Sequence, residues 1–446
     1  MNRQNWKRLG LTLLAVLLFL GIGGAGAETK QGSREPADIT EECEIKLSSN
    51  TWNYTMITDQ LYTSYWDSSK AQNPWIVIHS PQPVYGLYLC FRRMPESYEI
   101  QKQITVEVEP KPTPEPTPIL DLTTGIEVYP EAEEPEKQYA KEWVTIQQGD
   151  TRFHHVYYEL DGITDIRILS TQSGPHKIGF NEVFVFGDGE IPGWVQRWEP
   201  TEEKADILFF SAHPDDELLF YGGAIATYAA EKQKRVVVAY LSYSNTTRRS
   251  EALNGLWALG VRHYPEFGGF ADTWSNKLDA AYKKLGKKKV MTWVTEMYRK
   301  HQPEVVVTHD LKGEYGHGQH KMMGDAAIQA YSEAADASKY PDSAATYGPW
   351  QAKKLYVHLW GEESNQTRFD WEVPLERMGG KTGTELAEEA YALHVTQTYA
   401  KIKFGGKWHV LNVRETGSVF SNTTFGLYAT TVGPDETHMD FLEHIE

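Results

Sequence analysis

The feature that most constrains this chain is an apolar run, Ala205–Phe210, that ends in Ala212-His213-Pro214-Asp215-Asp216-Glu217. Ile207, Leu208, Phe209 and Phe210 read as a buried strand, and Leu218 to Lys232 carries apolar residues at helical spacing. A strand that runs into a helix through an acidic turn sets that turn at the carboxyl end of the strand, where open α/β sheets hold their ligands. One Asp in such a turn is ordinary, because Asp caps helices well. An imidazole with two adjacent carboxylates is more than a cap needs. His213 and Asp216, three residues apart, can point to one side of the turn and leave Asp215 free for a separate task. Glu217 reads as a carboxylate placed against the positive end of the helix dipole.

A second strand supplies what the first turn lacks. Val305-Val306-Val307-Thr308 is followed by His309-Asp310-Leu311-Lys312-Gly313-Glu314-Tyr315-Gly316-His317-Gly318-Gln319-His320. After a parallel strand, this Gly- and His-rich loop reaches the same sheet edge. One of its histidines with His213 and Asp216 makes a set of two imidazoles and one carboxylate, which suits a hydrolytic zinc with an open position better than a closed structural site. His309, directly after the strand, reads as a structural loop residue.

These segments, with Gly222-Gly223 and Arg248-x-x-Glu251 followed by Leu259-Gly260-Val261, resemble the PIG-L/LmbE family of zinc-dependent de-N-acetylases in order and spacing, from about Lys204 to about Gln397. The resemblance implies a Rossmann-like α/β domain that hydrolyses the N-acetyl group of an amino sugar. It implies His213, Asp216 and His320 as ligands of one divalent metal, zinc by ligand chemistry with Fe2+ as the alternative. Asp215 becomes the general base, and His317 and Tyr315 the groups facing the oxyanion. Arg248 corresponds to a substrate-contacting arginine, and Gly222 and Gly223 to close helix–strand packing. The chain departs from the family loop His-Pro-Asp-His, since it reads His317-Gly318-Gln319-His320. A neutral Gln319 does not favour an imidazolium at His317 as an Asp would, which puts a charged His317 in question. Glu314 is the carboxylate at hand to take that part.

The upstream half is organised differently. Trp75–His79, Gly86–Phe91 and His155–Leu160 are short alternating segments separated by turn residues, the pattern of a β-sandwich. Together with Ile57-Thr58-Asp59, Tyr65-Trp66, Ile166-Arg167-Ile168 and Asn181-Glu182-Val183, they resemble the discoidin (coagulation-factor type C) jelly-roll family. That family often binds glycans through loops at one end. Trp66 and Trp75 read as sandwich core before they read as sugar contacts. A segment dense in Pro, Glu and Thr, about 109–137, interrupts this half.

The start is basic (Asn2 to Arg8), continues through the apolar run Leu11–Ile22, and reaches Ala25-Gly26-Ala27, the pattern of a cleaved signal peptide whose apolar part is short for a bilayer span. No later segment is long and apolar enough to cross a membrane. The expectation is therefore a signal peptide over 1–27, a discoidin-like sandwich over 38–193 and a deacetylase domain over 204–446. The protein would be secreted, with no stable membrane span after cleavage. Cys43 and Cys90 are the only cysteines, and an even pair in exported sequence favours a disulfide. With 44 basic and 61 acidic residues, net −17, a nucleic acid is excluded as partner. The sequence thus reads as a metal-dependent N-acetylglucosaminyl deacetylase acting on N-acetylated sugars or glycans. The rival reading is a glycan-binding protein with a degenerate deacetylase domain.

Overall fold

A computed structural model describes residues 38–109, 119–121, 126–128, 137–201 and 204–445. The signal-peptide reading over 1–27 and most of the Pro-rich segment lie outside the described residues. The N-terminal half is mostly β. Its strands are β1 (Glu44–Leu47), β2 (Trp66–Asp67), β3 (Trp75–Arg93), β4 (Tyr98–Val108), β7 (Gln138–Gln148), β8 (His155–Ser170) and β9 (Gly179–Phe186), with a separate ribbon of β5 (Ile119–Asp121) and β6 (Ile126–Val128) between β4 and β7. All pairs are antiparallel, in the order β2-β9-β3-β8-β4-β7 with β1 on β3. The long β3 and β8 carry the ladder through a register shift between His79 and Val84. Before the shift β3 pairs with β1, and after it with β9.

The alternation in β3 shows why this half is stable. Ile76, Ile78, Leu87, Leu89 and Phe91 join one apolar core with Trp66, Ile166, Ile168, Phe180, Val183 and Val185. Tyr88 and Cys90 point to the opposite face and pack with Phe184, Phe186 and Val195 in a smaller cluster. Leu87 to Phe91 are therefore all buried, because both faces of the strand are covered. The same alternation corrects the expected disulfide: both cysteines are free thiols. Cys90 is held in the small cluster, while Cys43 packs on the large one and its thiol bonds the Ile39 carbonyl. Trp66 is a core residue, fully buried, with its indole N–H donated to the Ser49 carbonyl at 2.9 Å.

The C-terminal half is built on β10 (Ile207–Ser211), β11 (Val236–Ser242), β12 (Glu266–Phe270), β13 (Val305–Thr308), β14 (Lys354–His358), β15 (Gln366–Arg368) and β20 (Thr424–Thr430). Two small ribbons lie off this sheet, β16 (Pro374–Leu375) with β17 (Lys381–Thr382) and β18 (Lys401–Phe404) with β19 (Lys407–Val410). The sheet order is β12-β11-β10-β13-β14-β20-β15, with the first five strands parallel and β20 antiparallel to β14 and β15. Successive residues of the parallel strands serve two layers, as a sheet covered on both faces requires. Ile207, Phe209, Val236, Val238, Val305 and Val307 pack under α1 (Asp216–Phe220), α2 (Gly222–Ala226), α3 (Thr246–Ala258) and α8 (Gly383–Ala392). Leu208, Phe210, Val237, Ala239 and Val306 pack under α4 (Leu278–Leu285), α5 (Lys287–His301) and α6 (Gly318–Glu333). Helices α7 (Pro341–Tyr347) and α9 (Val413–Val419) complete the half.

The single helix expected over Leu218–Lys232 is broken. Tyr221 (φ −128°, ψ −5°) separates α1 from α2, and 227–231 form a wider π turn. The glycines at the break pack closely, as expected, but their neighbours are not a strand. A Cβ on Gly222 would sit 2.8 Å from the Ala387 Cβ of α8, and one on Gly223 would sit 2.2 Å from Trp371.

The two halves share a seam. Arg249 of α3 is buried and donates to the Phe91 and Arg92 carbonyls at 3.0 and 3.2 Å. Trp198 stacks edge-on against Trp257 and Tyr264 at 5.3 and 5.5 Å, and His155 reaches Ser250 at 3.4 Å.

Candidate active site

In the parallel part of the sheet the strand order reverses between β10 and β13, since β10 continues to β11 on one side and β13 to β14 on the other. A crevice outside the carboxyl ends of the strands opens at such a reversal. The 212–217 turn follows β10 and the 309–320 loop follows β13, so both acidic and imidazole segments arrive there.

Asp216 is the centre of the cluster. Its Oδ2 lies 3.0 Å from His213 Nδ1 and 3.2 Å from His320 Nε2, and its Oδ1 accepts from the Tyr315 hydroxyl at 3.2 Å. All but Tyr315 are buried outright, and Tyr315 is half-buried. His213, His317 and His320 offer ring nitrogens within 4.8 Å of one another, and so do ligand atoms of Asp216, His309 and His320. The edges of a tetrahedron around zinc, with bonds of roughly 2.0–2.1 Å, are roughly 3.3–3.4 Å. The two separations from Asp216 Oδ2 are close to that, the two mutually close groups divide the expected trio (His213 with His320 in one, Asp216 with His320 in the other), and the donors are nitrogen and oxygen. The residues present therefore fit a divalent ion.

The electrostatics agree with a site for a cation. Burial opposes charge on Asp216, but the imidazoles of His320 and His213 outweigh it and hold the carboxyl well below its usual range. Burial likewise opposes charge on His320, yet Asp216 and Glu314 lift its imidazole to about 10.

Glu314 was not expected to matter beyond a substitute role, and three buried histidines converge on it. Its Oε2 accepts from His320 Nδ1 at 2.8 Å and His309 Nδ1 at 2.9 Å, and its Oε1 from His358 Nδ1 at 2.6 Å and the Asp310 amide at 3.2 Å. With Nδ1 of His320 donated to Glu314, Nε2 is the nitrogen left facing Asp216. Orienting a ligating histidine through its second nitrogen is the usual work of such a carboxylate. His309 has its own task, as its Nε2 accepts the Ala212 amide at 2.9 Å and pins the first turn to the second loop. His358 ends β14, the strand beside β13, and that placement is the sequence signal that could have found it.

Asp215 is held in a strained backbone, φ 117° and ψ −33°, a conformation costing a non-glycine residue about 1–3 kcal/mol. Glu217 Oε2 accepts the Asp215 amide at 2.9 Å. Arg248 donates to the Pro214 carbonyl and to Asp215 Oδ1, the latter at 3.0 Å. Burial pushes the Asp215 carboxyl up to about 7, with Arg248 working against it. The arginine expected to touch substrate is thus buried behind the turn and braces it. Its position in the first turn of α3 follows from the Asn245 cap, whose side chain accepts the Arg248 amide.

His317 lies in the cluster with a ring centroid 4.9 Å from both His213 and His320. Burial, followed by His320 and His213, pushes its imidazole down to about 2, so it is neutral. Gln319 does not support it. Gln319 Oε1 accepts from His213 Nε2 at 3.0 Å and the Thr273 amide at 2.9 Å, linking the first turn to the loop after β12. From that loop, Asp272 Oδ1 reaches within 3.5 Å of His213 Nε2, and the exposed Trp274 packs edge-on to His317 at 4.5 Å. His394, just past α8, is buried with Nε2 3.8 Å from Glu217.

Comparison with known proteins bears on this stretch. Residues 208–331 match the PIG-L family profile, described as GlcNAc-PI de-N-acetylase, and all seven expected site residues lie within that stretch. A 1D-myo-inositol 2-acetamido-2-deoxy-alpha-D-glucopyranoside deacetylase 1 from Frankia casuarinae is 29% identical over 180 residues, 34% of this chain and 57% of that protein. The protein of the same name from Frankia alni is 30% identical over 176 residues, 32% of this chain and 59% of the relative. The matched region thus spans somewhat over half the length of these curated relatives. The structure of N,N'-diacetylchitobiose deacetylase from Pyrococcus horikoshii aligns with a TM-score of 0.34 at 18% identity, over 44% of this chain and 70% of that one.

Proposed function

We propose that this protein is an exported, metal-dependent hydrolase that removes the N-acetyl group from N-acetylglucosamine-type sugars or glycans. The observation that carries the reading is the single carboxylate oxygen of Asp216 set between His213 and His320, with Asp215 adjacent and the Tyr315 hydroxyl on the other oxygen of the same carboxylate. A divalent ion held by His213, Asp216 and His320, zinc or alternatively Fe2+, would lower the pKa of a water and polarise the amide carbonyl. Asp215 takes the proton from the attacking water and returns it to the leaving amine. Its strained backbone and its bond to Arg248 fix the carboxylate for that role. Tyr315 donates its hydroxyl proton in a hydrogen bond to the oxyanion, and a neutral His317 adds a second donor through a ring N–H.

The N-terminal half is proposed to be a discoidin-type jelly roll that brings the enzyme to a glycan, and the C-terminal half a Rossmann-like domain. The strand-and-turn pattern of the first and the parallel strand order of the second support these assignments. Export rests on the signal-peptide pattern of 1–27. Among the described residues no helix is long and apolar enough to cross a membrane.

Acetate release from N-acetylglucosamine oligomers, compared between the native protein and Asp215→Asn, tests the reading. Turnover by the native protein and a loss of about 10²–10⁴-fold in the variant is expected. Binding of the oligomers without acetate release by the metal-loaded native protein would support the glycan-binding rival instead.

A further inference from the structure

The ribbon of β18 and β19 stands out in a strongly acidic chain. No Asp or Glu occurs between Glu389 and Glu415, whereas Lys401, Lys403 and Lys407 lie in that interval. In the ribbon Lys401 pairs with Val410 and Lys403 with Trp408. Directly opposed residues share a face, so Lys401, Lys403 and Trp408 form one solvent-facing surface. All three are exposed, Trp408 at 67%, and Tyr399 just before the ribbon is 86% exposed. None of the three lysines makes an ion pair among the described residues. Glu415, the nearest acid in sequence, is occupied by His409 Nδ1 at 2.8 Å.

The opposite face ties the ribbon to the candidate active site. Phe404 stacks on His409 at 3.7 Å and meets Phe420 at 5.1 Å, and Phe420 meets the Tyr315 ring at 6.1 Å. Tyr315 in turn touches Asp216 and His320. The ribbon is therefore anchored through its Phe404 face to the loop that carries the reacting groups, on the Tyr315 side, with the basic, aromatic face turned outward to solvent, while Trp274 stands on the His317 side.

An exposed tryptophan flanked by unpaired lysines fits a sugar ring whose substituent is an anion. The indole covers the apolar face of the ring, and the ammonium groups meet the charge. At net −17 the chain as a whole repels anionic polymers, so a local cationic patch decides where one can approach. We propose that Lys401, Lys403 and Trp408 form a subsite for an acidic glycan, and that the preferred substrate is an N-acetylated sugar within or attached to a carboxylate- or phosphate-bearing saccharide. This rests on the deacetylase reading for its consequence in catalysis, but not for binding.

Calorimetry with Asp215→Asn protein, in the presence and absence of K401Q/K403Q, tests binding alone. The probes are a neutral N-acetylglucosamine oligomer, a glucuronate-containing N-acetylglucosamine oligomer and N-acetylglucosamine 1-phosphate. One anionic probe should bind about tenfold more tightly than the neutral one, and K401Q/K403Q should remove that advantage. Whichever anionic probe shows it identifies the charge source. Adding W408A should weaken both oligomers. Acetate release on the same probes by protein that keeps Asp215 should show the preference in KM, and K401Q/K403Q should leave kcat unchanged. Failure of native protein to release acetate from any probe would reject the deacetylase reading and leave the subsite standing if the calorimetric preference holds. Equal binding of neutral and anionic probes, or a preference that survives K401Q/K403Q in protein of unchanged melting temperature, would overturn the subsite.

Discussion

His320 donates its Nδ1 proton to Glu314 at 2.8 Å while its Nε2 faces Asp216 at 3.2 Å. A carboxylate on one side of the imidazole thus fixes which nitrogen is offered on the other. Glu314 performs this service for His309 and His358 as well, so one buried side chain orders the floor of the candidate site.

Glu314→Gln tests this arrangement. The amide can accept from fewer donors and cannot balance three imidazoles, so metal affinity and acetate release should each fall about 10–100-fold, the usual cost of losing such a supporting group. Competitive metal titration against a chromogenic chelator measures the first quantity directly. Unchanged affinity would make Glu314 a packing residue.

Arg248→Lys separates a bracing role from a substrate-contacting one. The buried guanidinium holds the Pro214 carbonyl and Asp215 together, and an ammonium cannot reproduce that fork. The expected outcome is a lower kcat with little change in KM, because Asp215 loses its position while substrate contacts remain. A raised KM at constant kcat would return Arg248 to the substrate.

Much of this site was legible in the sequence because its residues are local to two turns. His213, Asp215 and Asp216 lie within four positions after one buried strand, and Tyr315, His317 and His320 within six after another. Parallel pairing of those strands is what brings the turns together, and continuous apolar strands announce it. The role of Glu314 was not legible, because its partners come from one loop and from the end of β14, and no spacing rule links them. The bracing bonds of Arg248 to Pro214 and Asp215 were not legible either, because a motif gives position in the chain and not the direction of a side chain. The neighbours against which Gly222 and Gly223 pack at the break, Ala387 and Trp371, lie far along the chain. The free cysteines follow from their clusters, Cys90 facing the small one and Cys43, just before β1, packing on the large one, which a count of cysteines does not reveal.

The seam between the halves should make stability depend on pH. Burial, reinforced by Arg249, pushes the His155 imidazole down to about 3. The unfolded chain binds a proton there near the ordinary histidine value and the folded one does not, so stability is complete above about pH 6.5 and falls as pH drops toward 3, by at most about 1.4 kcal/mol per unit. The melting temperature should therefore fall between pH 7 and pH 4.5, and His155→Gln should flatten part of that fall. An identical pH profile in the variant would remove His155 from the account.

The most direct test of the central claim is acetate release from an N-acetylglucosamine oligomer by one preparation in three states: as purified, stripped by chelator, and reloaded with zinc. Acetate release in the first state, loss in the second with the melting transition retained, and recovery in the third are the results expected. No acetate release from protein shown to hold one equivalent of metal would contradict the claim.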